Sequence, residues 1–182
     1  MLNAFPKSKA SGFTLIEMMV AVAIMGILAA VAFPSLQTML RNSEVRNAAE
    51  SVVNGLQKAR GEAVSRNANV TFGLGAGSSW TVSQVAPATL IESRSSNEGS
   101  RNATLCLFPA GATAVTFNNF GSVTATNPQD GSLPISQFYL SAPGSNQILR
   151  VMIGVGGNAR MCDNSLAPNS SPRACPDQNP CP

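Results

Sequence analysis

From Phe13 to Phe33 the chain runs for 21 residues with a single charge, Glu17. As a helix this stretch rises about 1.5 Å per residue, roughly 31 Å in all, the thickness of a bilayer's hydrocarbon core. Lys7 and Lys9 precede it. Positive charge on that side predicts an N-terminus kept in the cytoplasm and the remainder placed on the outer side. A lone carboxylate in such a span costs about 2.5–3.5 kcal/mol at the bilayer centre, so Glu17 calls for a partner. An ordinary secretory signal has an apolar core of about 7–15 residues followed by a small-residue cleavage site. Here the order is reversed. The small residue, Gly12, comes first, and a cut after it leaves the apolar run on the mature protein.

The rest of the chain is polar but weakly charged. Charged residues make up 12%, against roughly 25% in an average domain, and Ser, Asn, Thr, Gly and Ala fill the difference. With 182 residues there is enough chain for one domain with a sizeable core plus an appendage. The net charge of +3 rests on 12 basic and 9 acidic residues, and removing Lys7 and Lys9 leaves 10 against 9, or +1. No whole-protein basic field for nucleic acid exists, so binding of that kind requires a local patch.

Histidine is absent. That excludes Ser-His and Cys-His nucleophile pairs and imidazole metal sites. Beyond Gly12, Lys58 is the sole lysine, and Asp130, Asp163 and Asp177 are scattered over loops. The glycine-rich Gly154–Arg160 stretch, GVGGNAR, fits neither a dinucleotide fingerprint nor a P-loop. The expectation is a protein that is no enzyme, with no metal and no cofactor. The four cysteines, Cys106, Cys162, Cys175 and Cys181, contain no C-x-x-C pair, which disfavours zinc. An even count in an exported chain favours two disulfides. Of three connectivities, the expected one is Cys106–Cys162 with Cys175–Cys181, the latter closing a small proline-containing loop.

After Pro34, the residues Val45, Ala49, Val52, Leu56, Ala59 and Ala63 step by 4, 3, 4, 3 and 4, one apolar stripe of a helix. Residues 35 to about 66 therefore continue the first helix, with Pro34 and Gly55 as kink points. From Asn69 the period shortens. Strands are expected at Val70–Leu74, Trp80–Ala86, Thr89–Ser93, Thr104–Phe108, Ala114–Phe117, Gln137–Ser141 and Leu149–Val155, parted by Gly, Pro, Asn and Ser clusters. The tail 163–182 holds five prolines and reads as irregular. The fold class is α+β: one long N-terminal helix, transmembrane in its first half and amphipathic in its second, packed on an antiparallel sheet or small sandwich.

The stretch GFTLIEMMVAVAIMGILAAVAFP, Gly12 to Pro34, resembles the type III signal of type IV pilins and pseudopilins. The matching positions are Gly12 before the cut, Phe13 as the new terminus, Glu17 four residues later, and Pro34. The run AR-x-EAV-x-RN-x-x-V, Ala59 to Val70, resembles the GspH/FimT branch of that family. The resemblance implies several things. Prepilin peptidase would remove 1–12 and the Phe13 amine would be N-methylated. Residues 13–34 would be the assembly helix, 35–68 the amphipathic helix, 69–162 a periplasmic β domain and 163–182 a disulfide-bonded tail. Partners would be other pilins or pseudopilins in a helical fibre, with an inner-membrane assembly platform. Glu17 would pair with the Phe13 ammonium of a neighbouring subunit, a bond satisfied only in correct register. The implied role is that of a minor type IV pilin, anchored by a single pass in the bacterial inner membrane before entering a pilus. Two alternatives share the same build: a minor pseudopilin of a type II secretion system, and a competence pilin that binds DNA. For the last, the G-R-x-R pattern of some relatives reads Gly157-Asn158-Ala159-Arg160 here, lacking its first arginine. Arg150, Arg160 and Arg173, with Arg94 or Arg101, are the candidate phosphate contacts.

Overall fold

The computed structural model describes residues 12–98 and 100–177. Contacts divide the chain into two compact units, Met1–Gln37 and Thr38–Pro182. One helix, α1 (Leu15–Ser65), runs through the division and through Pro34 without a break in its assignment. In the first unit every described residue from 12 to 37 is exposed, and this part of α1 is apolar enough to cross a membrane. A helix whose described residues are almost all apolar and exposed belongs in a lipid or protein surround.

In the second unit the remainder of α1 lies against two four-stranded sheets. The strands are β1 (Val70–Leu74), β2 (Trp80–Gln84), β3 (Thr89–Arg94), β4 (Thr104–Phe108), β5 (Ala114–Phe117), β6 (Gln137–Ser141), β7 (Leu149–Ile153) and β8 (Ala159–Asp163). One sheet has the order β3-β2-β1-β5 and the other β4-β6-β7-β8, with all pairings antiparallel. The stripe expected from the sequence is the buried face of the helix: Val45, Ala49, Val52, Leu56, Ala59 and Ala63 are all within the core. Phe72, Val82, Phe117, Phe138, Leu140 and Val151 meet it from the strands. Gly55 has a packing role. A Cβ built there would stand 2.7 Å from Phe72 Cε2 and 3.0 Å from two Trp80 ring atoms, so the glycine lets two aromatic rings reach the helix backbone. The Trp80 indole N–H donates to Ser51 Oγ at 2.9 Å, which satisfies its one polar atom.

Strand β8 was not expected from the sequence, and it changes the cysteine pairing. Cys162 bonds Cys175, with Cα atoms 5.0 Å apart, in place of the expected Cys106–Cys162 and Cys175–Cys181 pairs. Two neighbouring strands lie about 4.8 Å apart, and β6 and β7 separate β4, which carries Cys106, from β8, which carries Cys162. Three strand spacings, about 14 Å, exceed the Cα reach of a disulfide. Cys175 instead comes to β8 because the tail runs beside it. The Asp163 N–H donates to Arg173 O at 2.7 Å and the Cys175 N–H to Asp163 O at 3.2 Å, and Asp163 bridges Ala174 in parallel. No described cysteine is free, and Cys106 too is disulfide-bonded. Cys181 lies outside the described residues, as do Lys7 and Lys9.

Candidate functional site

The start of α1 is where the sequence placed its strongest motif, and its local geometry is a reciprocal cap. The Glu17 N–H donates to Thr14 Oγ1 at 3.3 Å, and the Thr14 N–H donates to Glu17 Oε2 at 3.4 Å. The Met18 N–H donates to Thr14 O at 3.2 Å, the first turn of the helix. This is a capping box: Thr14 is the N-cap, Glu17 the third helical residue, and two otherwise orphaned amide donors are satisfied. The carboxylate also lies at the positive end of the helix dipole. The sequence reading found Glu17 and missed Thr14, although T-x-x-E ahead of an apolar run is the signature of such a cap. Gly12 and Phe13 precede the helix and are exposed. Pro34 stands inside it.

The candidate phosphate-binding arginines divide into two groups. Arg150 is withdrawn from solvent, 5% exposed. Its guanidinium donates to Gln137 Oε1, pairs with Asp177, and lies 5.4 Å over the Tyr139 ring. It therefore cannot serve as an open contact on the surface. Arg160 and Arg173 are exposed. Arg94 pairs with Glu98, and Arg101 donates to Asn97; both stand outside the sheet that carries Arg150 and Arg160.

The glycine-rich stretch is the β7–β8 hairpin turn. The Gly157 N–H donates to Gly154 O at 2.8 Å and the Gly154 N–H to Asn158 O at 2.9 Å. Gly157 has φ +78°, and a Cβ on it would lie 2.0 Å from Gly121 O. Arg60 Nε donates to that same carbonyl at 3.0 Å. GVGGNAR thus docks the hairpin on the turn after β5 and on α1. A groove of about 540 Å³ opens beside this junction, lined by Gln57, Arg60, Gly61, Val64 and Asn158 among others. Exposed Val64, Phe120 and Val155 lie in the elements that meet there. No group of three or more metal-ligating side chains occurs among the described residues.

Asp163 organises the start of the tail. Burial raises its pKa, and hydrogen bonds from the Ser165 hydroxyl and amide and from Gln147, with the Arg173 charge, outweigh that and hold it below the usual value. Glu62 is also lowered, through Arg66 first and Lys58 second, with burial opposing; both pairs are helical i,i+4 neighbours.

Comparison with known proteins gives matches at both levels. Residues 7–33 match the model of the prokaryotic N-terminal methylation motif. Residues 48–157, more than half of the chain, match that of the type II transport protein GspH. Two curated proteins named type IV major fimbrial protein FimA, from Dichelobacter nodosus, are 56% identical over 39 residues, 21% of this chain and 25% of theirs. The chain thus spans a quarter of the length of those relatives. Among solved structures, one crystal form of the type IV minor pilin FimU from Pseudomonas aeruginosa aligns over 70% of this chain and 94% of its own. That alignment has 20% identity and a TM-score of 0.50. A second crystal form of FimU gives 19% identity, 69% and 98% coverage, and a TM-score of 0.48. At such identities the likeness is one of fold.

Proposed function

Because the chain belongs to the GspH family of type IV pilins and pseudopilins, we propose that it is a minor type IV pilin, a structural subunit of a pilus fibre. Prepilin peptidase cuts after Gly12 and the Phe13 amine is N-methylated. Residues 13–34 hold the subunit in the inner membrane as a single pass, with the folded unit on the periplasmic side. The assembly platform then transfers the subunit into the fibre, near its tip. There it supports adhesion, twitching motility or DNA uptake. The observation that carries this reading is the exposed apolar half of α1 behind a methylation motif. Such a surface is tolerated only in lipid or against other apolar helices, and a fibre of parallel subunits offers the second. Glu17 sets register by meeting the Phe13 ammonium of a neighbouring subunit, a partner that becomes available only after the cut.

The test is the Glu17→Ala variant expressed in place of the wild type. It should be processed and remain in the membrane, yet be depleted at least tenfold from sheared fibres. Wild-type incorporation would show that Glu17 has no part in register. A second reading, a minor pseudopilin of a type II secretion system, draws support from the name of the matched family. The fibre with which the processed chain co-purifies separates the two. For the DNA-binding reading, burial of Arg150 leaves Arg160 and Arg173 as the candidate contacts.

A further inference from the structure

One carboxylate on the folded unit stands without a partner. Every other described carboxylate takes part in an ion pair or a hydrogen bond; Glu92 has neither. It is exposed on β3, two residues from Leu90, which is 63% exposed. Ile91 between them packs against the core. Strand β3 is one edge of the first sheet, whose order is β3-β2-β1-β5. An edge strand that shows a leucine beside a bare carboxylate is open to a partner. The complementary surface lies beyond the other edge. The turn after β5 carries Gly121, whose carbonyl accepts from Arg60 Nε at 3.0 Å. That bond fixes the guanidinium and leaves its remaining N–H donors for another acceptor. No described carboxylate pairs with Arg60. Arg60 lines the groove of about 540 Å³ together with Gly61 and Val64. A Cβ on Gly61 would meet nothing within 4 Å, so the helix leaves open space there, and Val64 is exposed. The neighbouring turn is held in place by Asn118 Oδ1, which accepts from the Phe120 and Ser122 amides, both at 3.0 Å.

We propose that these two surfaces join successive copies of this chain: Leu90 of one copy enters the groove of a second, against Val64, and its Glu92 meets the Arg60 guanidinium. The inference rests on the pilin reading, which places copies side by side in a fibre. Charge selects the occupant. An apolar groove with one uncommitted cation matches a leucine followed two residues later by a carboxylate, and no other described segment of the chain offers a free carboxylate. Position requires a second copy. Strands β3 and β5 are three strand spacings apart, about 14 Å, and Arg60 is bonded beyond β5, so Glu92 does not reach Arg60 of its own copy. Two different patches at opposite edges of one sheet make a head-to-tail contact. Repeated, a contact of that kind yields a ring or an open helical filament, and a fibre is the second. The groove is ready for it: Arg60 is pinned at Nε, so little freedom is lost when its other nitrogens pair.

The experiment uses the full chain in whole cells, as two copies with different epitope tags. One copy carries Leu90→Cys and the other Val64→Cys, and copper phenanthroline oxidises thiols that meet. No described native cysteine is free, and the tagged wild-type pair measures the background. The expected product is a mixed-tag disulfide dimer, about tenfold above same-tag dimers, because a head-to-tail contact brings Leu90 to Val64 and never Leu90 to Leu90. Gln129→Cys, at another exposed position, replaces Leu90→Cys as the control and should stay at background. Glu92→Arg added to the Leu90→Cys copy should lower the mixed dimer about tenfold by setting like charges face to face. Arg60→Glu in the other copy should then restore it. A mixed dimer at the control level overturns the proposal, as do same-tag dimers of equal yield and full cross-linking by the Glu92→Arg copy. Failure of Arg60→Glu to restore the dimer, with its far-ultraviolet circular dichroism at wild type, overturns it as well. Fibre entry of the same tagged copies is scored in parallel. Absent cross-linking with normal fibre entry refutes this contact alone, whereas processed copies that enter no fibre refute the pilin reading whatever the cross-link shows.

Discussion

Two glycines six residues apart on α1 should respond in opposite directions to the same substitution. Alanine is favoured over glycine in a helix interior by about 0.8–1 kcal/mol. Gly61 is exposed, and a Cβ there meets nothing within 4 Å. Gly61→Ala should therefore keep the whole gain, about 1 kcal/mol. At Gly55 the same Cβ would meet the rims of Phe72 and Trp80 at 2.7 to 3.0 Å. Neither ring is free to yield. Phe72 is wholly buried, the two ring centroids lie 5.8 Å apart, and Trp80 is tied to Ser51. Overpacking costs about 1–3 kcal/mol, and two rigid rings place this case near the upper end. Subtracting the helix gain leaves a net loss of about 2 kcal/mol. For a unit of this size each kcal/mol moves Tm by about 2–4 °C. Gly61→Ala should then raise Tm by about 2–4 °C and Gly55→Ala lower it by about 4–8 °C. The assay is thermal unfolding followed by the fluorescence of Trp80, the only tryptophan, with far-ultraviolet circular dichroism as a second probe. If both variants shift Tm the same way, the role given to the Phe72–Trp80 contact is wrong and helix propensity alone governs this face.

The long-range features of this molecule differ in how far they could be read ahead of the structure, and the reasons are physical. The helix stripe from Val45 to Ala63 was legible because the 3.6-residue period repeats over five turns and every position on it is apolar. The capping box was written in Thr14 and Glu17 but was eclipsed by the functional reading of Glu17. Seven strands were found where β-branched and aromatic residues alternate. Their ends were less legible: β2 stops at Gln84 rather than Ala86, and β7 at Ile153 rather than Val155. Strand β8, Ala-Arg-Met-Cys-Asp, escaped because an edge strand with one arginine and one aspartate carries little hydrophobic period. Missing β8 led directly to the wrong disulfide. Sequence distance favoured Cys175–Cys181, whereas the pairing is set by which strand the tail runs beside, a property of topology. Gly55 looked like a hinge because a glycine within a helix has no other local meaning. Only the Phe72 and Trp80 rings, 17 and 25 residues away in sequence, give it one. Likewise Arg150 counted as a surface charge until the sheet placed Gln137, Tyr139 and Asp177 around it.

The remaining predictions concern polar groups that the fold has buried. Asn127, 1% exposed, accepts from Thr116 Oγ1 at 3.0 Å and donates to Ala114 O at 3.2 Å and Ser132 Oγ at 2.9 Å. Asn127→Ala should cost about 1–3 kcal/mol by leaving those partners unpaired, read as a lower midpoint in urea at unchanged slope. The last prediction concerns acid. The Asp163 carboxyl is held below its usual value of 3.8 in the folded chain. A depressed carboxylate adds stability that is fully present above the unfolded pKa. That stability is lost as pH falls through the folded value, because the unfolded chain takes up its proton first. The window is therefore pH 4 and below, and the direction is loss with acid. Asp163 also sits between Cys162 and the tail, where its carboxylate accepts from Gln147 and Ser165. Asp163→Asn should therefore lower stability at pH 7 and flatten its decline below pH 4. Urea midpoints at pH 3, 4, 5 and 7 measure both. The same steepness of acid decline in wild type and variant would mean that other carboxylates carry it, among them the lowered Glu62 and Asp130, and that the Asp163 network is energetically silent.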